Sequence, residues 1–201
     1  MKKIPTLFKR EYENHKVVGI TPELSSPDLQ CVLDGEGDAT VKFDGSCCAI
    51  IDGEFYRRYD AKKNKKGEYK APPEGAIPCC DPDPITGHWP HWVKVTGYSE
   101  DKWYYLAYLR DLEHYGCLED GTYEAIGPHF QGNPYNLSFD HLVRHGIEIV
   151  TVERTFDGIR KFLEEAKIEG LVFWKDGEPK CKIKRSDFGF EWPCKKENND
   201  D

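Results

Sequence analysis

Thr40-Val41-Lys42-Phe43-Asp44-Gly45-Ser46-Cys47-Cys48-Ala49-Ile50-Ile51-Asp52-Gly53 is the stretch on which the reading of this chain turns. Val41, Phe43, Cys47, Ala49 and Ile51 fall two apart, which predicts strand from Thr40 to Asp52. Asp52-Gly53 reads as a two-residue hairpin turn, with Phe55 to Tyr59 as the returning strand. Lys42 then lies on the face opposite Val41 and Phe43 and projects away from the layer they fill. Cys47 and Cys48 point to opposite faces, so at least one is a small core residue.

Downstream, residues 60 to 90 form a long irregular insertion, Lys-rich at first and then broken by Pro72, Pro73, Pro78, Pro82 and Pro84. Unstructured stretches of that length are often lids or binding loops. Ser99-Glu100-Asp101 starts a helix that runs towards Gly116, and Gly121 to Ile126 is strand. Ser138 to Arg144 reads as a short helix closed by Gly146, and Ile147 to Val152 as strand. Thr155 caps a helix whose apolar face is Phe156, Ile159, Phe162, Leu163 and Ala166. The last hairpin runs from Gly170 to Trp174, turns at Asp176-Gly177 and returns through Lys180 to Arg185. Many hairpins with a few helices between them predict an α+β fold, with antiparallel sheets flanked by helices. One domain over residues 1–193 is expected, followed by a polar tail at 194–201.

The chain has 201 residues, of which 38% are hydrophobic and 32% charged, which suits a soluble protein with a real core. No apolar run approaches the ~20 residues that span a bilayer, and no secretion signal opens the chain. An intracellular, cytoplasmic monomer without a membrane partner is expected, its 8 cysteines kept reduced. A net charge of -8 argues against indiscriminate nucleic-acid binding. Two basic runs stand against that acidity: Lys62, Lys63, Lys65, Lys66 and Lys70, then Lys175, Lys180, Lys182, Lys184 and Arg185. The first can be a solvated loop. The second alternates along a strand, so its members are expected to share a face.

A lysine two residues before Asp-Gly can serve as an amine nucleophile. At a pKa of ~10.4, under ~0.1% of a lysine is neutral at pH 7, so exposing the free amine costs about 4–5 kcal/mol. Desolvation or neighbouring cations reduce that cost. Lys182 and Lys184 could act in that way and could also neutralise charge building on a phosphate. With Glu169-Gly170 preceding them, the three elements argue for covalent nucleotidyl transfer.

The constellation resembles the covalent nucleotidyltransferase superfamily of polynucleotide ligases and capping enzymes. Its Lys-x-Asp-Gly element appears as Lys42-Phe43-Asp44-Gly45, its Glu-Gly element as Glu169-Gly170-Leu171-Val172, and its Lys-x-Lys element as Lys182-Ile183-Lys184. A closer resemblance is to the ATP-dependent 5′–3′ RNA ligases first recognised in chordates, with viral and phage relatives. Lys42 to Cys48 is similar to that family's Lys-x-Asp-Gly-Thr-Cys-Cys, and Arg58-Tyr59-Asp60 to its Arg-Leu-Asp. Asp83 to Pro90, Gly121 to Pro128 and Gln131-Gly132-Asn133-Pro134 also resemble its motifs, so the likeness covers about residues 35 to 190.

That resemblance implies an adenylation domain in which Lys42 attacks the α-phosphate of ATP and holds AMP as a phosphoramidate. It implies that the backbone at Val41 reads the adenine edge, and that Arg58 and Glu124 contact the ribose hydroxyls. Glu169 would orient a metal ion or its waters, and Lys182 and Lys184 would hold the α-phosphate. Mg2+ is the implied ion, with Mn2+ as a substitute, and the partner is RNA with 5′-phosphate and 3′-hydroxyl ends. Arg57 is the rival of Arg58 from the opposite face of one strand. Larger relatives carry a further domain after the Lys-x-Lys strand, where here a short tail follows.

No spacing places the aromatic that stacks on adenine; Phe139 and Phe173 are the candidates. Cys79, Cys80, His88 and His91 could ligate zinc. His141 and His145, at helical spacing, are expected along a helix face near the site. Trp89, Trp92 and Trp103 are expected to pack, with base stacking as the alternative. A DNA ligase, a capping guanylyltransferase or a non-catalytic binder of nucleic-acid ends are the competing readings.

Overall fold

The structure is a computed structural model that describes residues 4–14, 16–64, 67–83 and 87–194. Lys65, Lys66, the Pro84-Ile85-Thr86 part of the Asp83–Pro90 motif and the tail from residue 195 lie outside the described residues. In chain order the elements are β1 (Phe8–Glu13), β2 (Lys16–Leu24), α1 (Gln30–Leu33), β3 (Asp38–Lys42), β4 (Ser46–Ile51), β5 (Glu54–Asp60), β6 (Ile77–Pro78) and β7 (Pro90–Lys94). Then follow α2 (Lys102–Tyr115), β8 (Gly121–Ile126), β9 (His141–Arg144), β10 (Ile149–Val150), α3 (Phe156–Glu165), β11 (Gly170–Lys175) and β12 (Glu178–Lys184). The fold is α+β, with antiparallel strand pairing throughout these named strands and few helices.

The described chain divides into two compact units, one of residues 44–145 and the other of 4–43 with 146–194. The first carries a six-stranded sheet in the order β6-β7-β5-β4-β8-β9. Cys48, Ile50, Phe55, Tyr123, Ala125 and Leu142 are buried beneath α2, which contributes Ala107, Tyr104 and Tyr108. The Phe55 and Tyr108 rings stack at 4.8 Å. Asp120 accepts from the backbone N–H groups of both Asp52 and Gly53, at 2.9 and 3.0 Å, fixing the expected hairpin turn.

The second unit carries a four-stranded sheet in the order β10-β3-β11-β12, and the β1-β2 hairpin. Ala39, Leu171, Phe173, Cys181 and Ile183 alternate into one core with Ile159 and Leu163 of α3. Thr155 caps α3 as expected, its hydroxyl accepting from Gly158 N–H at 3.0 Å. At the other end of α3 the buried Arg185 guanidinium donates to the carbonyls of Leu163 and Ala166. That answers the unpaired carbonyls of a helix C-terminus. Phe173 is 1% exposed, so truncation to Ala should cost ~3–5 kcal/mol, and it cannot stack on a ligand.

Three expectations need correction. Residues 40 to 52 are two strands in two different sheets, because the chain leaves β3 after Lys42 and re-enters pairing at Ser46. Alternation passes unbroken through Asp44-Gly45, where Asp44 N–H instead donates to the Tyr135 hydroxyl at 2.6 Å. Residues 138 to 144 are not helical: β9 pairs with β8, and buried Asp111 accepts from Leu142 N–H at 2.6 Å. Of the expected strand from 147 to 152, only Ile149–Val150 pairs. Among the described residues no helix is long and apolar enough to cross a membrane.

Candidate active site

Register builds a first cluster, on the four-stranded sheet. On central strand β11, Gly170 faces Lys42 of β3 on one side and Lys184 of β12 on the other. Val172 likewise faces Thr40 and Lys182. Side chains alternate along a strand, so Thr40, Lys42, Lys182 and Lys184 share one face while their odd-numbered neighbours fill the core. Gly170 has no room for a side chain: a Cβ there would lie 2.1 Å from the Ile183 carbonyl oxygen. The two lysines therefore flank bare backbone.

Glu169, 4% exposed, is the carboxylate they converge on. Its Oε2 pairs with Lys42 Nζ and its Oε1 with Lys184 Nζ. Beside them Arg10 Nη2 pairs with Asp187 Oδ1 at 2.8 Å, and Asp187 Oδ2 accepts from Lys184 N–H at 2.9 Å. Four cations (Lys42, Lys182, Lys184, Arg10) thus face two carboxylates (Glu169, Asp187), which leaves a local excess of two positive charges. The crowding shows on Lys182, whose pKa falls to about 8 through burial first, then through Lys42, Lys184 and Arg10, with Glu169 opposing. The edge of β12 is closed by the N-terminal segment, where Leu7 N–H donates to the Lys182 carbonyl at 2.8 Å.

A second cluster lies on the six-stranded sheet of the other unit. Cys47 of β4 faces Glu124 of β8, and Arg58 of β5 faces Trp92 of β7. Cys48 pairs with Arg57, so the next step of that ladder sets Cys47 beside Arg58. Arg58, Cys47 and Glu124 consequently share a face, and Arg57 points the other way, its buried Nε without a hydrogen-bond partner. The Cys47 thiol between them is pushed up to about 12, by burial first and by Glu124 next, against Arg58. Glu124 Oε1 accepts from Gly45 N–H at 3.2 Å, and Oε2 bonds His145 Nε2 at 2.9 Å. Gly45 is as confined as Gly170, since a Cβ would lie 2.3 Å from the Ala125 carbonyl oxygen.

Other residues singled out in the sequence have different fates. The Val41 N–H is already engaged by the Glu148 carbonyl at 2.9 Å. The second basic run does not act as a unit, because Arg185 caps α3 and Lys175 pairs with Glu36. Phe139 is 46% exposed and carries the Arg110 guanidinium 3.7 Å from its ring centre. The aromatic on the lysine face is instead Trp174, whose indole N–H donates to Thr40 Oγ1 at 3.0 Å. Among the described residues no three His, Cys, Asp or Glu side chains are grouped to hold a metal ion. His88 pairs with Asp60, and His91 Nδ1 bonds the Trp89 carbonyl at 2.9 Å. Trp92 is buried, Trp89 donates to the Cys80 carbonyl at 3.0 Å, and Trp103 stacks on His129 at 3.3 Å. His141 and His145 belong to a strand and its continuation, not to a helix. The sequence reading missed the bond of His145 to Glu124 and the clamp of Tyr135 on Asp44; only contact across strands reveals either.

Comparison with known proteins adds one relative. The chain is similar to RNA ligase 1 of Rattus norvegicus, 29% identical over 258 aligned positions covering 92% of this chain and 77% of the relative. An RNA ligase thus stands among its relatives. No protein-family model matches the chain.

Proposed function

We propose that this chain is an ATP-dependent RNA ligase with the adenylation-domain fold, acting through a lysyl-AMP intermediate on Lys42. The observation that carries the reading is the register that sets Lys42 and Lys184 across Gly170, both reaching Glu169, with Lys182 alongside. Two uncompensated positive charges in a chain of net charge -8 suit a polyphosphate ligand.

In the first step the neutral Lys42 amine attacks the α-phosphorus of ATP; the N–P bond forms, the bond to pyrophosphate breaks, and the amine gives up a proton. Lys182 and Lys184 stabilise the charge building on the α-phosphate oxygens. An RNA 5′-phosphate oxygen then takes the adenylyl group, breaking the N–P bond. The 3′-hydroxyl of a second end attacks that phosphate and releases AMP. Splitting the joining reaction gives a poor phosphate electrophile a good leaving group.

Arg58 and Glu124 receive the ribose hydroxyls. Glu169, the buried carboxylate between the two lysines, is the residue that would hold a Mg2+ ion together with phosphate oxygens and water. Such an ion would screen the phosphates and polarise them towards attack.

Intact-mass analysis after incubation with ATP tests the reading. One added AMP, lost when Lys42 is replaced, is expected. Labelling by GTP alone, or an adduct that survives Lys42→Ala, would overturn it.

A further inference from the structure

We infer that His145 is a positioning residue that holds the Glu124 carboxylate ready for two ribose hydroxyls of the nucleotide; the inference rests on the nucleotidyl-transfer reading above. Thr122 and Glu124 are two apart on β8 and so share a face. His145 continues the β9 pairing by one residue, its N–H donating to the Thr122 carbonyl at 3.0 Å. Its ring bridges the two side chains, with Nδ1 3.0 Å from Thr122 Oγ1 and Nε2 2.9 Å from Glu124 Oε2.

The chemistry fixes the donor to Glu124. A carboxylate only accepts, so Nε2 carries the proton facing Glu124, while the Thr122 hydroxyl, able to donate or accept, completes the bond at Nδ1. Both ring nitrogens are satisfied by side chains of one strand, and the ring cannot turn without breaking two bonds.

The consequence falls on Glu124. Its oxygens each accept one bond, Oε1 from Gly45 N–H and Oε2 from His145. A carboxylate offers about four acceptor sites, which leaves one free on each oxygen. A pair of free sites on one rigid, largely buried carboxylate matches the adjacent hydroxyls of a ribose, with side-chain exposures of 14% for Glu124 and 16% for His145. Holding the carboxylate in advance removes its ordering cost from binding.

The test compares ATP with 2′-deoxy-ATP as adenylyl donor to the full chain, measuring KM and kcat for adduct formation. In His145→Ala, KM for ATP should rise about tenfold or more, while kcat changes little. KM for 2′-deoxy-ATP should move far less, so the preference for ATP shrinks. His145→Gln, whose amide N–H can replace Nε2–H, should restore most of the preference. Thr122→Val should shift KM the same way by a smaller factor. Equal losses with both nucleotides, a preference unchanged in His145→Ala, or no rescue by His145→Gln would each overturn the assignment. Failure of the unaltered chain to form any ATP adduct would instead defeat the nucleotidyl-transfer reading, and this inference with it.

Discussion

The two clusters of candidate residues, one on the sheet of each unit, solve opposite electrostatic problems. On β3, β11 and β12, four cations crowd two carboxylates, and Lys182 loses proton affinity through burial first and then through its cationic neighbours. On β4, β5 and β8, the Glu124 carboxylate is held by a backbone N–H and the His145 ring, with one arginine in the same row. The first arrangement is under tension until an anion arrives; the second is at rest and merely waits with open acceptor sites. Unrelieved charge suits groups whose own charge changes during reaction. A satisfied carboxylate suits recognition of neutral hydroxyls.

The contrast can be broken most sharply at Lys42. Lys42→Ala should abolish the covalent AMP adduct in a mass spectrum, whereas Glu124→Ala should leave an adduct that forms at a higher ATP concentration. Next in size is Glu169→Ala, which leaves Lys42 and Lys184 without their shared partner. Adduct formation should fail, and chemical denaturation should show a loss of about 2–4 kcal/mol, less than for a wholly buried pair because both lysines reach solvent.

Lys182→Met should move the other way in stability, gaining about 1–2 kcal/mol at pH 7 while adduct formation slows. The sign follows from linkage. Folding lowers the Lys182 pKa from 10.5 to about 8, so the folded chain bears the full penalty below pH 8. Between pH 8 and 10.5 the unfolded chain binds more protons and the penalty fades. The advantage of Lys182→Met in denaturation midpoints should therefore shrink across that window. A gain that persisted above it would show that packing, not charge, was relieved.

The smallest effect is expected at Lys62 and Lys63 on the first basic run, both exposed. Replacing either by Ala should weaken RNA binding by no more than about threefold and lower the salt slope by about one, without touching the adduct.

What the sequence disclosed, it disclosed through local rules. Even-numbered spacing put Lys182 and Lys184 on one face, and Asp-Gly pairs marked the turns at Asp52-Gly53 and Asp176-Gly177, where both residues take positive φ. The register then set Arg58, and not Arg57, on the face of Glu124. Other features depended on partners far along the chain. The break between Lys42 and Ser46 follows from Tyr135, ninety-one residues beyond Asp44. A spacing of four is even, so His141 and His145 share a face on helix or strand alike; pairing with β8 decided between the two. Phe173 and Trp174 are adjacent aromatics with opposite fates, one in the core and one beside Thr40, and only the phase of β11 separates them.

Gly170 draws a warning from that same register. With a backbone oxygen where its first carbon branch would stand, even alanine must displace a whole strand, and both long amines lose their common anchor with it. A mutational survey scored by turnover alone would rank this residue beside the nucleophile, although it touches nothing that reacts. Intolerance there would measure the tightness of the weave and not the chemistry performed on it.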